Sequence, residues 1–129
     1  MSLMTVVIWG CLLIVVQIVA QTLVLVRDVG LMGAFHSRDD HMTPASVLGG
    51  RLTRALRNVL ETFPVFVALV VVANAAGKQG DATLLLGAQI WLWARVAYVP
   101  VYAAGIPIAR TLIWTASVIG LCLMLSRLV

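Results

Sequence analysis

Long uncharged stretches separated by short polar breaks organise this chain. From Met4 to Val26 no charged residue occurs, and at ~1.5 Å per residue that stretch crosses a ~30 Å hydrocarbon core as one tilted helix. The next uncharged stretch, Phe63 to Ala76, is shorter than the ~20 residues a crossing needs, so its helix extends back through Glu61 and Asn58 to about Arg57. A third span runs from Ala82 to Ala104 with Arg95 near its middle, and a fourth from Pro107 to about Leu125 with Arg110 in its first turn. Turns at Gly77-Lys78-Gln79-Gly80-Asp81 and Gly105-Ile106-Pro107 make adjacent spans antiparallel neighbours. The pattern predicts an all-α integral membrane protein: a single four-helix transmembrane bundle over residues 1–129, with spans at about 4–26, 57–76, 82–104 and 107–125.

Composition sharpens that reading. Of 129 residues, 62% are hydrophobic and 11% charged, and the mean hydropathy is +1.06. Soluble domains are roughly half apolar and a quarter charged, so they are excluded. A net charge of +4 invites a nucleic-acid partner, but a chain largely within lipid has little surface for one, and none is expected. The start lacks the basic region of a secretory signal, and its apolar stretch is too long for one, so it reads as a retained span. Cys11 and Cys122 lie in apolar segments without metal or redox spacing and read as inert thiols. His36, Asp39, Asp40 and His41 in the first loop match no ligand pattern, and no metal is expected.

Arg27, Arg38, Arg51, Arg54 and Arg57 lie between the first and second spans, against only Lys78 and Arg127 on the other side. The positive-inside rule then puts residues 27–57 in the cytoplasm and both termini outside. At 100° per residue, Arg51, Arg54, Arg57, Asn58 and Glu61 share an arc of about 120° on the second helix. Arg95, Tyr98 and Tyr102 form a stripe on the third, with Trp91 one turn away. An unpaired charge in the bilayer costs at least ~2.5 kcal/mol, so these residues face protein and pair. Glu61, the only acid within the spans so drawn, is expected to pair with Arg95, Arg57 or both. Arg110 sits where the helix dipole disfavours a cation, and it calls for an anion. Snorkelling to lipid phosphates is the plainer role for Arg51 and Arg54. An anionic ligand entering between helices from the cytoplasmic side would answer all the surplus cations. Pro64 is expected to kink the second helix, Gly49-Gly50 to mark its start or a bend, Trp9 to anchor at the interface, and Trp91, Trp93 and Trp114 to pack.

The run Arg54-Ala55-Leu56-Arg57-Asn58-Val59-Leu60-Glu61-Thr62-Phe63-Pro64 resembles the signature of the MAPEG superfamily, the membrane-associated proteins of eicosanoid and glutathione metabolism. Arg95-Val96-Ala97-Tyr98 through Tyr102, and Gly105-Ile106-Pro107-Ile108-Ala109-Arg110, are similar to that family's third helix and the start of its fourth. The resemblance implies a homotrimer with glutathione as cosubstrate, held between subunits near the cytoplasmic face, and a lipophilic small-molecule substrate arriving through the membrane lipids. It assigns Arg51, Arg54, Arg57, Asn58, Glu61, Arg95, Tyr98 and Tyr102 to binding and Arg110 to thiol activation. Where several glutathione-transferring members have tyrosine this chain has Thr62, and Thr111 stands where the prostaglandin synthase has serine. Arg27 resembles a first-helix arginine of some members.

The expected activity is that of a transferase or peroxidase acting on lipophilic electrophiles, in a bacterial inner membrane. The alternative is a non-catalytic member that binds a lipid or a partner. A small multidrug-type transporter would need an acid in the first span, which offers only Gln17 and Gln21 as strongly polar residues.

Overall fold

The structure is a computed structural model that describes residues 1–35 and 46–129. Arg38 and the His36, Asp39, Asp40, His41 group therefore lie outside the described residues. Four helices follow in order: α1 (Leu3–Phe35), α2 (Val47–Ala75), α3 (Ala82–Ala104) and α4 (Pro107–Ser126). Each is long and apolar enough to cross a membrane, and the chain is an integral, multi-pass membrane protein.

Local chemistry sets the boundaries. At the start of α2, the Ser46 hydroxyl accepts from the Gly49 amide at 3.0 Å. The Ser46 amide and hydroxyl both donate to Asp28 Oδ2, the amide at 3.2 Å. This clip ties the end of α1 to the start of α2, and it explains why α2 begins ten residues before the expected 57. The expected span followed the apolar run, whereas the helix begins at its cap. α1 in turn runs past Val26, so Asp28 as well as Glu61 is an acid on a long helix. Gly30 interrupts it with φ 77° and ψ 166°, a conformation open to glycine alone, and beyond it Leu31, Met32 and Phe35 are exposed. α3 and α4 lie where expected, separated by Gly105 in the left-handed region at φ 76° and by Pro107 at the first position of α4. Helical geometry continues through Pro64 in α2 and Pro100 in α3.

α3 is the organising helix. It packs most extensively against α4 and also meets α2 and α1, whereas α1 and α4 make no contact. Between α3 and α4 the backbones touch: a Cβ on Gly87 would lie 2.6 Å from the Gly120 carbonyl oxygen, and one on Gly120 at 2.6 Å from that of Gly87. Small residues of this kind let membrane helices approach closely. The apolar core joins Leu3 and Val6 of α1 with Val59, Phe66 and Val70 of α2 and Leu84, Ala88 and Trp91 of α3. Trp91 stacks on Phe66 with ring centroids 4.2 Å apart, as a packing residue should. Trp9, Trp93 and Trp114 are exposed instead. Trp93 and Trp114, also expected to pack, are thus less enclosed by the protomer than Trp91, and Trp93 lines one apolar cavity with Trp9. Cys11 and Cys122 are free and exposed, facing outward from apolar segments.

At the opposite end, Asp81 caps α3 through Oδ1, accepting from the Thr83 and Leu84 amides at 2.8 and 3.0 Å. Its Oδ2 accepts from Arg127 Nε and Nη2 at 3.2 and 3.1 Å, and Lys78 Nζ donates to the Arg127 carbonyl at 2.8 Å. The Leu84 amide and then the Arg127 guanidinium hold the Asp81 carboxyl below the usual carboxylate range. A carboxyl with a depressed folded-state value stabilises the fold above its unfolded value of about 3.9, and that contribution is lost as pH falls through the lower folded value. Asp81→Asn keeps an oxygen for the cap but not the charge. In thermal melts in detergent, wild type is expected to exceed Asp81→Asn by a constant margin down to about pH 4.5, and that margin is expected to shrink as pH falls below about pH 4. A margin that does not shrink on further acidification would contradict this.

Candidate functional site

Three cations gather at the α3–α4 turn, two of them against one phenol ring. Arg54 Nε donates to the Tyr102 hydroxyl at 3.0 Å. The Arg54 and Arg110 guanidinium carbons lie 5.9 and 5.2 Å from the centre of the Tyr102 ring. Arg51 Nη1 donates to the Ala103 carbonyl at 2.9 Å, at the C-terminal end of α3, where the helix dipole favours a cation. The Arg51 guanidinium also lies where a Cβ on Gly105 would sit, so the turn that delivers Arg110 is fastened to α2 by that side chain. With Ile106 and Pro107 these residues line a cavity of about 150 Å³ whose wall, among the described residues, has three arginines and no acid.

Electrostatics and hydrogen-bond capacity decide what such a cavity can hold. A guanidinium only donates, so the Tyr102 oxygen accepts from Arg54 and keeps its own proton free to donate elsewhere. No side chain caps α4; Pro107 has no N–H and the Arg110 amide donates to the Ile106 carbonyl at 3.2 Å, so the Ile108 and Ala109 amides are the ones left without a helical partner, and the dipole there adds to the positive potential. An anion is the only guest that satisfies all of these groups together.

The remaining predicted residues fall into two further groups. Inside the protomer, Arg95 is only 2% exposed; its Nη1 donates to Asn58 Oδ1, and its charge lies 5.8 Å from the Tyr98 ring. The Tyr98 and Tyr102 rings touch with centroids 5.3 Å apart, which joins this buried group to the cationic cavity. Arg95 forms no ion pair among the described residues, so it is not the partner that Glu61 takes of the two expected for it. Glu61 takes the other partner foreseen for it, accepting from Arg57 Nε at 3.2 Å within α2. That pair is at the surface, with side chains 81% and 57% exposed. It borders an open groove of about 510 Å³ lined also by Gln21, Thr53, Leu56 and Leu60.

The five polar residues of α2 thus share a face but divide among three surroundings. Gln21 of α1, which donates to the Thr53 hydroxyl at 3.0 Å, belongs to this surface although the sequence offered it only as an isolated polar residue. The two threonines that depart from the family pattern are turned inward on their own helices. Thr62 Oγ1 donates to the Val59 carbonyl at 3.2 Å, and Thr111 Oγ1 to that of Pro107 at 3.2 Å. Neither offers a free hydroxyl proton to the cavity. A separate cavity of about 350 Å³, lined by Trp9, Leu12, Val16, Leu92, Trp93 and Val96 among others, is apolar throughout and holds none of these charges.

Compared with known proteins, the chain matches the profile of the MAPEG family over residues 3–129. No curated protein and no solved structure gave a match.

Proposed function

This chain belongs to the MAPEG family over essentially its whole length, and from that premise we propose that it is a glutathione-dependent membrane enzyme acting on lipophilic electrophiles. The observation that carries the reading is the cavity that Arg51, Arg54 and Arg110 line together with Tyr102, with no acid among the described residues of its wall. Glutathione presents two carboxylates, suited to arginine forks, and one ammonium. Glu61 uses Oε1 for Arg57, and its second oxygen remains for the ammonium.

The thiol must ionise before it attacks. Moving its half-ionisation from about pH 8.5 to about 6.5 takes ~2.7 kcal/mol of preferential thiolate stabilisation. Arg110, the open amides at the start of α4 and the free Tyr102 proton together provide donors for that sulfur. The thiol proton leaves to water. The sulfur lone pair then forms the new C–S bond, either by displacing a leaving anion or by adding to an activated double bond that collects a proton from solvent.

Two features favour a homotrimer in which a neighbouring subunit completes the site. Ligand pockets usually measure ~300–1,000 Å³, so a cavity of about 150 Å³ takes one end of a tripeptide and needs another wall for the rest. The exposed Arg57–Glu61 pair well inside α2 would also be costly against lipid, and a second copy would cover it. A site opening to the bilayer suits a substrate delivered by the membrane lipids. The excess of arginines between α1 and α2 favours a cytoplasmic location for residues 27–57, and the compactness of the chain goes with a bacterial inner membrane.

The test is ligand-induced stabilisation in detergent. Glutathione at 100 times its Kd is expected to stabilise the fold by ~2.7 kcal/mol and to raise Tm accordingly. No shift at millimolar glutathione, with no thiol-transfer activity toward a model electrophile, would reject the reading and leave the non-catalytic alternative.

A further inference from the structure

We propose that Arg95 is a positioning residue that sets ligand specificity through Asn58: it fixes the Asn58 carboxamide with its oxygen inward, so that the NH2 group faces the site and selects a carboxylate.

The argument begins with burial. Arg95 is 2% exposed within the protomer and sits beneath α2, so its guanidinium is not placed to meet a ligand arriving at the protein surface. One of its nitrogens donates to Asn58 Oδ1. A carboxamide can turn either its oxygen or its NH2 toward a neighbour, and its two ends are chemically opposite. A guanidinium has five N–H donors and no acceptor, so beside it only the oxygen-inward orientation makes a hydrogen bond. The flipped orientation would set donor against donor in a buried place, which costs more than losing the bond alone.

Asn58 is half-buried, between the buried Arg95 and the polar face that carries Arg54, Arg57 and Glu61. With its oxygen committed inward, its two N–H donors are what it shows to that face. A carboxylate oxygen accepts from them, whereas the NH2 of a carboxamide would oppose them. Arg95 thereby converts an ambivalent side chain into a donor.

A second observation separates this role from a structural one. Arg95 Nε and Nη2 are buried and have no hydrogen-bond partner among the described residues. Among the described residues no acid forms an ion pair with it. A buried cation so poorly supplied contributes little to stability, and replacing it by an apolar side chain of similar length removes a desolvation cost. Arg95→Met should therefore fold as well as wild type and still bind less selectively, a combination that a residue serving only packing would not give. Lysine also donates without accepting, so Arg95→Lys should preserve the orientation.

The inference rests on glutathione being the ligand, and its test separates the two claims. The affinities of wild type, Arg95→Lys and Arg95→Met are measured for glutathione and for the two analogues in which one carboxylate or the other is amidated. Wild type and Arg95→Lys are expected to prefer the acid over one of the amides by about tenfold or more, and Arg95→Met to lose most of that preference with Tm unchanged or raised. An undiminished preference in Arg95→Met for both analogues would overturn the proposal.

A ligand-free readout accompanies it. The chain has two asparagines, Asn58 and Asn74, so the Asn58 side-chain carbonyl can be resolved by selective isotope labelling and nuclear magnetic resonance. Its signal is expected to move in Arg95→Met and to stay close to wild type in Arg95→Lys. An unmoved signal in Arg95→Met overturns the orientation, whatever glutathione does. A moved signal together with no glutathione binding to wild type would instead refute the glutathione reading, and with it the selectivity assigned to Asn58.

Discussion

Arg110→Ala is expected to lower kcat/KM for thiol transfer by about 100-fold, the loss typical of removing one preorganised donor from a developing or resident negative charge. Its effect on folding should be small. Arg110 makes no side-chain hydrogen bond or ion pair among the described residues; its contact is with the face of the Tyr102 ring at 5.2 Å, and a partly buried cation–π contact is worth ~0.5–2 kcal/mol. The pH profile carries the diagnostic sign. Without the guanidinium the bound thiol ionises at higher pH, so the rising limb of the rate should move upward and the defect should narrow in alkaline solution. Arg110→Lys keeps a charge without the fork and should fall between the two. A uniform loss across pH, or a Tm that drops with the activity, would show that Arg110 holds the fold instead.

The second large effect is on folding. Gly87→Val and Gly120→Val are each expected to destabilise the protein severely, by more than the ~1–3 kcal/mol typical of overpacking. The atom that each new Cβ meets is a backbone carbonyl at 2.6 Å, with the Trp91 amide nitrogen at 2.9 Å from a Cβ on Gly120, and a backbone atom in a helix cannot rotate aside. The α3–α4 interface is the most extensive in the protein, so separating the helices propagates along it. The two positions face each other, which makes a quantitative claim possible. Once one substitution has forced the helices apart, the second meets a gap already open, and the double mutant should be far less destabilised than the sum of the singles. Unfolding titrations in mixed detergent would measure this; additive losses would mean that the two glycines act at separate places.

How much of this was legible in the residues differs from helix to helix. α3 could be bounded to the residue because chemistry marks both ends: Asp81 is an N-cap and Gly105 is a left-handed terminator. α2 could not, because its first ten residues carry arginines that break the apolar run, and the cap at Ser46 works with Asp28, distant in sequence and brought close only by folding. The polar stripe on α2 was foreseen correctly as one face, yet 120° is wide enough to meet several environments. Arg57 and Glu61 lie at one edge of the arc and are exposed, Asn58 and Arg51 lie at the other and reach α3 and the α3–α4 turn, and Arg54 lies between. Helical periodicity gives the angle of each residue about its own axis but not where the neighbouring helices stand. Hence the expected bridge from Glu61 to Arg95 gave way to one from Asn58. The Gly87–Gly120 contact was unread for the same reason, since small residues in an apolar span identify a close approach only once the partner helix is known.

Because α1 and α4 never touch and α3 lies between them, the protomer has two unlike flanks. Copies that meet through unlike flanks repeat one rotation from each to the next, and such a series ends in a closed ring only when that rotation divides a full circle evenly. The number of subunits is then a property of the angle between the two flanks. A change in how α1 leans on α3 would alter the count, or leave the ring open, without touching a single residue of the arginine cavity.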